Sequence, residues 1–198
     1  MISNVQAKQY EINIMITSLP PWIVVQKSKC FSGPICKLYN ELNKDQNITV
    51  KFKVSSLARV NLATYEGRVD AAVFPKLPIF EKYYKPVSEY MKYKLGYYSI
   101  KHKGRRVNCT TSKNPHKEKG IKYIEVPSLK QCFQMLREKR VTDILLTDVE
   151  LHDFLIQNNE FKVGTFYSVK DLSLWFYLNK KFSKEALIYI KSKFESLL

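Results

Sequence analysis

The hydrophobic pattern of the first 75 residues alternates between strand-like and helix-like segments. Short runs rich in isoleucine and valine indicate buried strands, and apolar residues spaced three and four apart indicate helices. Strands that alternate with helices favour a largely parallel sheet with helical crossovers, so this order predicts an α/β fold. The predicted strands cover 11–17, 48–54 and 69–74, and the predicted helices cover 34–43 and 56–66.

A second series of strands and helices begins near residue 100, without a long linker before it. We therefore predict two lobes of mixed, mostly parallel sheets flanked by helices. Lobe 1 comprises 1–98 and 170–198, and a shorter, inserted lobe 2 comprises 99–169, with extended crossings near 95–103 and 165–172. Later elements are predicted at 89–100, 106–110, 121–126, 142–148, 161–167 and 172–178 (extended) and at 128–140, 149–157 and 184–197 (helical).

The chain carries 33 Lys and Arg against 18 Asp and Glu, a net charge of +15 that is spread along its whole length. One interpretation is a solvated basic surface; the other is an anionic partner, such as a charged ligand, a lipid or polymer surface, or nucleic acid. The excess is mostly lysine, which is a weak indication of base readout. The densest basic runs, 101–106 and 113–122, fall in predicted loops.

The four cysteines are even in number and fit no common zinc-site spacing. Cys30 and Cys36 flank a Ser-Gly-Pro turn, which brings them within reach of each other. Cys109 ends a predicted strand and Cys132 lies on the apolar side of a predicted helix, so that a helix packed on that strand would place them together. Two disulfides and an oxidising compartment are favoured over four buried thiols.

Five stretches of the sequence carry a resemblance to a known fold. Their order and spacing resemble the type 2 periplasmic-binding-protein fold, in particular the family 3 extracellular solute-binding proteins, over nearly the whole chain. The stretches are Glu11 to Trp22, which ends in Pro-Pro-Trp; Gly33 to Leu38; Leu57 to Val73, with Gly67-Arg-Val-Asp-Ala71; Leu136 to Asp148; and Leu172 to Leu198.

The resemblance implies that two lobes close on a small solute in the cleft between them, and that a membrane transporter or receptor reads the result. It also implies a periplasmic or otherwise extracytoplasmic monomer whose signal peptide has been removed, with no cofactor and no bound metal. We expect an amino-acid-like solute, anionic or zwitterionic, because the chain is strongly basic.

Two departures from the family pattern concern the expected site. Amino-acid binders carry an arginine after the Asp-Ala strand, whereas Lys82 is the nearest equivalent here, and lysine lacks the guanidinium fork. The segment after Cys109-Thr110-Thr111 has no room for the helix whose N-terminus receives an anion in relatives. Asp148 matches the carboxylate that often holds a ligand amine.

The candidate ligand residues each allow a second interpretation. Trp22 either stacks on a ligand or caps a core, and Phe74 ends its strand in the same way. Asp148 contacts a ligand, serves as the N-cap of a helix that begins at Val149, or does both. Asp70 and Asp143 are assigned to strand ends. The candidate ligand-binding residues are Trp22, Phe74, Lys82, Thr110, Thr111 and Asp148.

The chain shows no catalytic arrangement in its sequence, so we expect that it is not an enzyme. His102, His116 and His152 have no nucleophile in an identifiable motif beside them, and no Gly-rich phosphate loop is present. A solute-binding protein is the first hypothesis. The alternatives are a degenerate member of the fold that acts as a protein-interaction or sensory module, and, less favoured, a basic nucleic-acid-binding protein; no nucleic-acid partner is expected.

Overall fold

The structure is a computed structural model that describes residues 8–100, 107–111, 114, 117, 120–161 and 164–197. The basic run at 101–106 and half of the run at 113–122 lie outside these ranges, as do His102, Ser112 and His116. The described residues form ten strands and five α-helices: β1 (Tyr10–Ile16), β2 (Val24–Gln26), β3 (Lys29–Ser32), α1 (Pro34–Leu42), β4 (Ile48–Val54), α2 (Leu57–Tyr65), β5 (Ala71–Pro75), β6 (Tyr84–Ser99), β7 (Asn108–Thr111), β8 (Tyr123–Val126), α3 (Leu129–Arg137), β9 (Asp143–Thr147), α4 (Asp148–Gln157), β10 (Thr165–Asn179) and α5 (Lys184–Glu195).

The chain is a mixed α/β protein that divides into two compact units. Unit 1 comprises Met1–Met91 and Ser173–Leu198, and unit 2 comprises Lys92–Leu172. The chain passes from one unit to the other within β6 and returns within β10. These boundaries differ by a few residues from the lobe boundaries expected at 98/99 and 169/170.

In unit 1, β1 and β4 pair in parallel, with Tyr10 opposite Ile48 and Ile16 opposite Val54. Parallel pairing requires a crossover, and α1 supplies it. β5 pairs antiparallel with the end of β10, where Phe74 is opposite Trp175. The apolar core of this part of the unit contains Ala63, Val69, Phe80, Tyr84 and Tyr177.

Helix α2 ends where the sequence predicted, at a glycine. Gly67 has φ +69, a left-handed conformation, and a Cβ at this position would come within 2.6 Å of the Tyr83 ring. The N-terminus differs in detail from the prediction. Ser56 precedes the helix, but its side chain makes no capping hydrogen bond; its backbone carbonyl accepts from Val60 N at 3.0 Å.

In unit 2, β9 lies between β6, to which it is antiparallel, and β7, to which it is parallel; β8 is parallel to β7 on its other side. Helices α3 and α4 pack on this sheet through a core that contains Phe133 and Phe154, whose rings stack with centroids 4.0 Å apart. Unit 2 therefore has its own apolar core.

Three details of the predicted elements are corrected. The helix expected at 128–140 ends at Arg137, because Lys139 has φ +59 and Arg140 N donates back to Met135 O at 2.8 Å. The two extended segments at 161–167 and 172–178 are one strand, β10, from Thr165. The antiparallel pair β2 and β3 was not predicted; Lys27 and Ser28 form its two-residue turn with positive φ.

Candidate functional site

Trp22 lies in the turn that follows β1. Leu19 and Ile23 exchange two backbone hydrogen bonds across this turn, at 2.7 and 3.0 Å, and the Pro20–Pro21 peptide is cis. The Trp22 carbonyl accepts from Ile35 N, in the first turn of α1, at 3.2 Å. The backbone of Trp22, whose side chain is half-buried, is thus linked to α1.

Gly33 makes this approach feasible. Its φ of +98 favours glycine, and a Cβ there would lie 2.5 Å from the Trp22 carbonyl oxygen. The Gly33-Pro34 pair that the sequence analysis placed at the start of a helix therefore also positions the Trp22 turn.

Phe74 is half-buried and packs in unit 1. Its ring stacks on Phe80 with centroids 4.9 Å apart, and it belongs to the rim of the aromatic core around Tyr84 and Tyr177. Of its two interpretations, the packing contact is the one that the geometry displays.

Lys82 ends a 3₁₀ helix, Pro78–Lys82, that follows β5. Its side chain is exposed, and its Nζ lies 4.8 Å from the centroid of the neighbouring Tyr83 ring. A cation above an aromatic face gains a modest attraction. The lysine therefore lies against its own unit rather than extending fully into solvent.

Asp148 is the first residue of α4, in unit 2. Its Oδ1 accepts from the backbone N–H of Lys94 and from that of Val149, both at 2.9 Å. The prediction that Asp148 is the N-cap is wrong. Thr147 occupies that position, because its hydroxyl accepts from Glu150 N and the Glu150 carboxylate accepts from Thr147 N, a reciprocal capping box.

Glu150 and Tyr93 are titratable neighbours of Asp148 that the sequence analysis did not select. Burial raises the pKa of Glu150 above its usual value. Burial, together with the nearby carboxylates of Glu150 and Asp148, raises the pKa of Tyr93 to about 12. The Thr-x-x-Glu spacing of a capping box was the signal that could have identified Glu150.

Thr110 is fully buried in β7 and takes part in an internal hydrogen-bond cluster. Its hydroxyl donates to the Leu145 carbonyl at 3.2 Å and accepts from Asn114 Nδ2 at 3.0 Å. Thr111 is half-buried, and its carbonyl accepts from Asn114 N at 3.0 Å. Both threonines thus belong to strand β7, and the Thr110 hydroxyl is bonded within unit 2. Asn114, whose side chain donates to this hydroxyl, was not predicted.

The two aspartates assigned to strand ends are both buried and hydrogen-bonded. Asp70 accepts from Asn13 N at 2.8 Å and Asn13 Nδ2 at 3.1 Å, and forms an ion pair with Lys181. Asp143 accepts from Thr142 Oγ1 at 2.6 Å and from the Ser99 hydroxyl. Each carboxylate satisfies groups near the start of its strand, as the sequence analysis expected.

All four cysteines are disulfide-bonded, as predicted. Cys30 is bonded to Cys36 and Cys109 to Cys132. The first bond ties β3 to α1 in unit 1, and the second ties β7 to α3 in unit 2. Each unit thus contains one cross-link within its own fold.

Within the described ranges, no group of three or more His, Cys, Asp or Glu side chains is arranged to hold a metal ion. None of the helices in the same ranges combines the length and apolar character that a bilayer crossing requires.

Comparison with known proteins links this arrangement to solved structures. No family model and no curated protein sequence matches the chain. The L-cystine solute receptor of Neisseria gonorrhoeae matches with a TM-score of 0.68 and 15% identity, covering 94% of this chain and 86% of the receptor.

Two further structures match over similar lengths. The GluR0 ligand-binding core in complex with L-glutamate has a TM-score of 0.69 and 12% identity, covering 98% of this chain and 93% of that core. A histidine kinase sensor domain with similarity to periplasmic binding proteins has a TM-score of 0.69 and 11% identity, covering 96% and 91%. With nearly complete coverage on both sides, the chain has the type 2 periplasmic-binding-protein fold that the order of its sequence motifs predicted.

Proposed function

We propose that this chain is a non-enzymatic solute-binding protein for a small anionic or zwitterionic, amino-acid-like solute. The observation that carries the proposal is the fold, shared over almost the whole chain with an L-cystine receptor and an L-glutamate-binding core. A membrane transporter or a sensory receptor would use the bound form, since both a solute receptor and a kinase sensor domain share the fold.

Trp22 and Phe74 in unit 1 and Asp148 in unit 2 are the ligand residues that we propose. Trp22 and Asp148 follow the carboxyl ends of β1 and β9, and Phe74 lies at the carboxyl end of β5, where ligand-binding residues of open α/β sheets gather. Both indole and phenyl rings remain half-buried, so part of each surface is accessible within its own unit. Asp148 would pair with a ligand ammonium group.

The proposed location is extracytoplasmic, and the proposed state is a monomer. Two disulfides support the location, because such bonds persist in oxidising compartments.

The charge of the solute is inferred from the charge of the protein. The net charge of +15, spread over the chain, attracts negatively charged groups over several ångströms and so supports an anionic or zwitterionic solute.

A protein-interaction or sensory module without a solute is the second candidate, and two contacts favour it. The Thr110 hydroxyl is already bonded to Leu145 and Asn114, and Lys82 lies over Tyr83 in place of the arginine fork that amino-acid binders use. A chain that no longer binds a solute would retain this fold. The polar side chains that once contacted the solute would instead form contacts within the protein.

A thermal-shift screen of the oxidised protein against amino acids, carboxylates, phosphates and short peptides separates the two candidates. A ligand at 100 times its dissociation constant stabilises by about 2.7 kcal/mol, which raises the melting temperature by roughly 5–10 °C for a chain of this size. Trp22→Ala and Asp148→Ala should abolish the shift. Phe31→Ala and Asp171→Ala, at exposed positions, are the matched controls and should retain it.

The absence of any stabilising compound in the screen would count against a solute-binding role. Affinity capture of a membrane or envelope partner by the same oxidised protein would then support the interaction module. A shift that survives both Trp22→Ala and Asp148→Ala would support solute binding but reject the ligand residues proposed here.

A further inference from the structure

Four large apolar side chains are exposed on two adjoining segments of unit 1. Leu62 and Tyr65 project from α2, with 51% and 47% of their surface exposed. Leu77 and Ile79, exposed by 43% and 61%, lie just before and within the 3₁₀ helix Pro78–Lys82. We refer to these four side chains as the apolar patch. Scattered single apolar residues on a surface are ordinary, whereas a contiguous set indicates an interaction site.

Contacts beneath the patch show that its two segments are packed against each other. The Tyr65 ring stacks on the buried Phe80 ring, with centroids 5.6 Å apart and planes 7° from parallel. Phe80 N donates to the Leu77 carbonyl at 3.1 Å, which fixes the turn that presents Ile79. The patch therefore rests on the aromatic core of unit 1, and its side chains are exposed from ordered backbone.

Exposed basic side chains lie on the same two segments as the patch. Arg59 is on α2, and Lys76 and Lys82 are near Ile79 in the second segment, against the acidic Glu81. Arg68, beyond the end of α2, is paired with Glu66. We refer to Arg59, Lys76 and Lys82 as the basic rim. Lys76 Nζ lies 4.8 Å from the centroid of the Trp175 ring, and Lys82 Nζ lies at the same distance from that of Tyr83. Both ammonium groups thus lie against aromatic rings of unit 1 while the two lysine side chains stay exposed, so each charge is available at the surface beside apolar side chains.

We propose that the apolar patch and its basic rim dock unit 1 on an anionic lipid surface. Aliphatic and aromatic side chains beside Lys and Arg are the composition of segments that lie in the membrane interface. Charge next to the patch favours an anionic surface, because the rim has three basic side chains against the single acidic side chain Glu81. Most basic residues of the chain are lysines, whose point charge suits the diffuse charge of a lipid surface, whereas recognition of a discrete carboxylate favours the arginine fork.

The docking is weak, reversible and sensitive to salt. Each Lys or Arg near an anionic bilayer adds attraction that falls off within a Debye length, and the apolar side chains add a contribution that salt does not screen. This property is independent of the proposed solute site, because none of the four patch residues is among the proposed ligand residues.

Flotation of the full oxidised chain with lipid vesicles tests the proposal. Vesicles of phosphatidylcholine with one third phosphatidylglycerol should bind the protein at low salt, and pure phosphatidylcholine vesicles should not. Ile79→Ser should reduce binding to the anionic vesicles by about fivefold. Ile188→Ser, on α5 of the same unit, is the matched control, because Ile188 is 60% exposed against 61% for Ile79, and it should bind like the native chain.

A second pair of variants tests the basic rim. Lys76→Gln combined with Lys82→Gln should reduce binding at low salt by more than Lys37→Gln combined with Lys184→Gln, which removes the same charge from exposed positions on α1 and α5. Equal losses for the two lysine pairs, or for Ile79→Ser and Ile188→Ser, would overturn the proposal in favour of diffuse electrostatic attraction. Failure of the native chain to bind anionic vesicles at low salt would also overturn it.

Discussion

Asp148 accepts a hydrogen bond from the backbone N–H of Lys94, at 2.9 Å. Leu95 is opposite Thr147 in the antiparallel pairing of β6 and β9, so this bond continues the ladder one step beyond its last pair. The first residue of α4 is thereby tied to the strand through which the chain enters unit 2. The residue that the sequence analysis selected for its position in the family pattern also has a structural role.

Two substitutions at Asp148 separate its structural role from the proposed ligand role. Asp148→Asn retains an oxygen that can accept from Lys94 and Val149, so the free energy of unfolding should change little. Asp148→Ala removes the acceptor and should cost about 1–2 kcal/mol. Both variants remove the negative charge of Asp148. Both should therefore lose the thermal shift caused by a ligand whose ammonium group pairs with that carboxylate. Retention of the shift by Asp148→Asn would contradict a role of the carboxylate charge in binding.

Strands β1, β4 and β5 of unit 1 were predictable from the sequence because their signals are local. Isoleucines at 12, 14 and 16 alternate with more exposed residues along β1, and Gly67 marks the end of α2 through its left-handed conformation. The cysteine positions also favoured two disulfides, because one pair flanks a turn and the other lies on a strand and a helix that could pack together; the structure contains both bonds.

The features that escaped prediction depend on partners distant in the sequence. The stretch Ser168 to Asp171 was expected as an extended crossing, but not as part of one continuous strand with the segment after it; it belongs to β10, which lies between β5 and β6 in the order of its sheet. The Thr110 hydroxyl bonds to Leu145, 35 residues away, so a polar pair at a strand end could not be assigned to the interior from its local sequence.

Removal of the two disulfides should destabilise the protein unequally. The Cys109–Cys132 bond spans 23 residues and the Cys30–Cys36 bond spans six. A longer closed loop restricts the unfolded chain more. On the chain-entropy estimate, removal of the Cys109–Cys132 bond lowers the free energy of unfolding by about 3.4 kcal/mol, and removal of the Cys30–Cys36 bond lowers it by about 2.2 kcal/mol. Paired Cys→Ala variants, followed by urea unfolding, measure the difference. A larger loss from the Cys30–Cys36 pair would show that loop entropy is not the deciding factor.

Gly33→Ala should displace the Trp22 turn. The φ of +98 alone costs about 1–3 kcal/mol for a residue with a Cβ, and the contact with the Trp22 carbonyl adds to that cost. Gly120→Ala is the matched control, because Gly120 has a similar φ of +88 but nothing within 4 Å of its Cβ position. Thermal unfolding and tryptophan fluorescence of the two variants should show a larger loss of stability and a changed Trp22 environment only for Gly33→Ala.

Equal loss of stability in Gly33→Ala and Gly120→Ala, with unchanged fluorescence, would mean that the Trp22 turn tolerates the extra Cβ. The close approach of α1 to this turn would then have no part in holding the indole ring.

The contribution of Glu150 to the stability of unit 2 should fall as the pH rises above 4.5, the ordinary pKa of a glutamate side chain. Burial raises the pKa of Glu150 in the folded protein, so the folded state binds its proton more tightly than the unfolded chain. The resulting stabilisation is fully present below pH 4.5 and is lost as the pH rises through the raised pKa. The hydrogen bonds that Thr147 donates to the Glu150 carboxylate act in the opposite direction and lower its pKa, but burial has the larger effect.

Glu150→Gln removes this titration while retaining an oxygen that can accept from Thr147 N. Relative to the native chain, the variant should therefore gain stability as the pH rises from 4.5 through the raised pKa, as measured by urea unfolding at a series of pH values. Glu160→Gln, at an exposed position, should track the native chain throughout. Parallel curves for Glu150→Gln and the native chain would mean that the capping hydrogen bonds offset the effect of burial and leave Glu150 with an ordinary pKa.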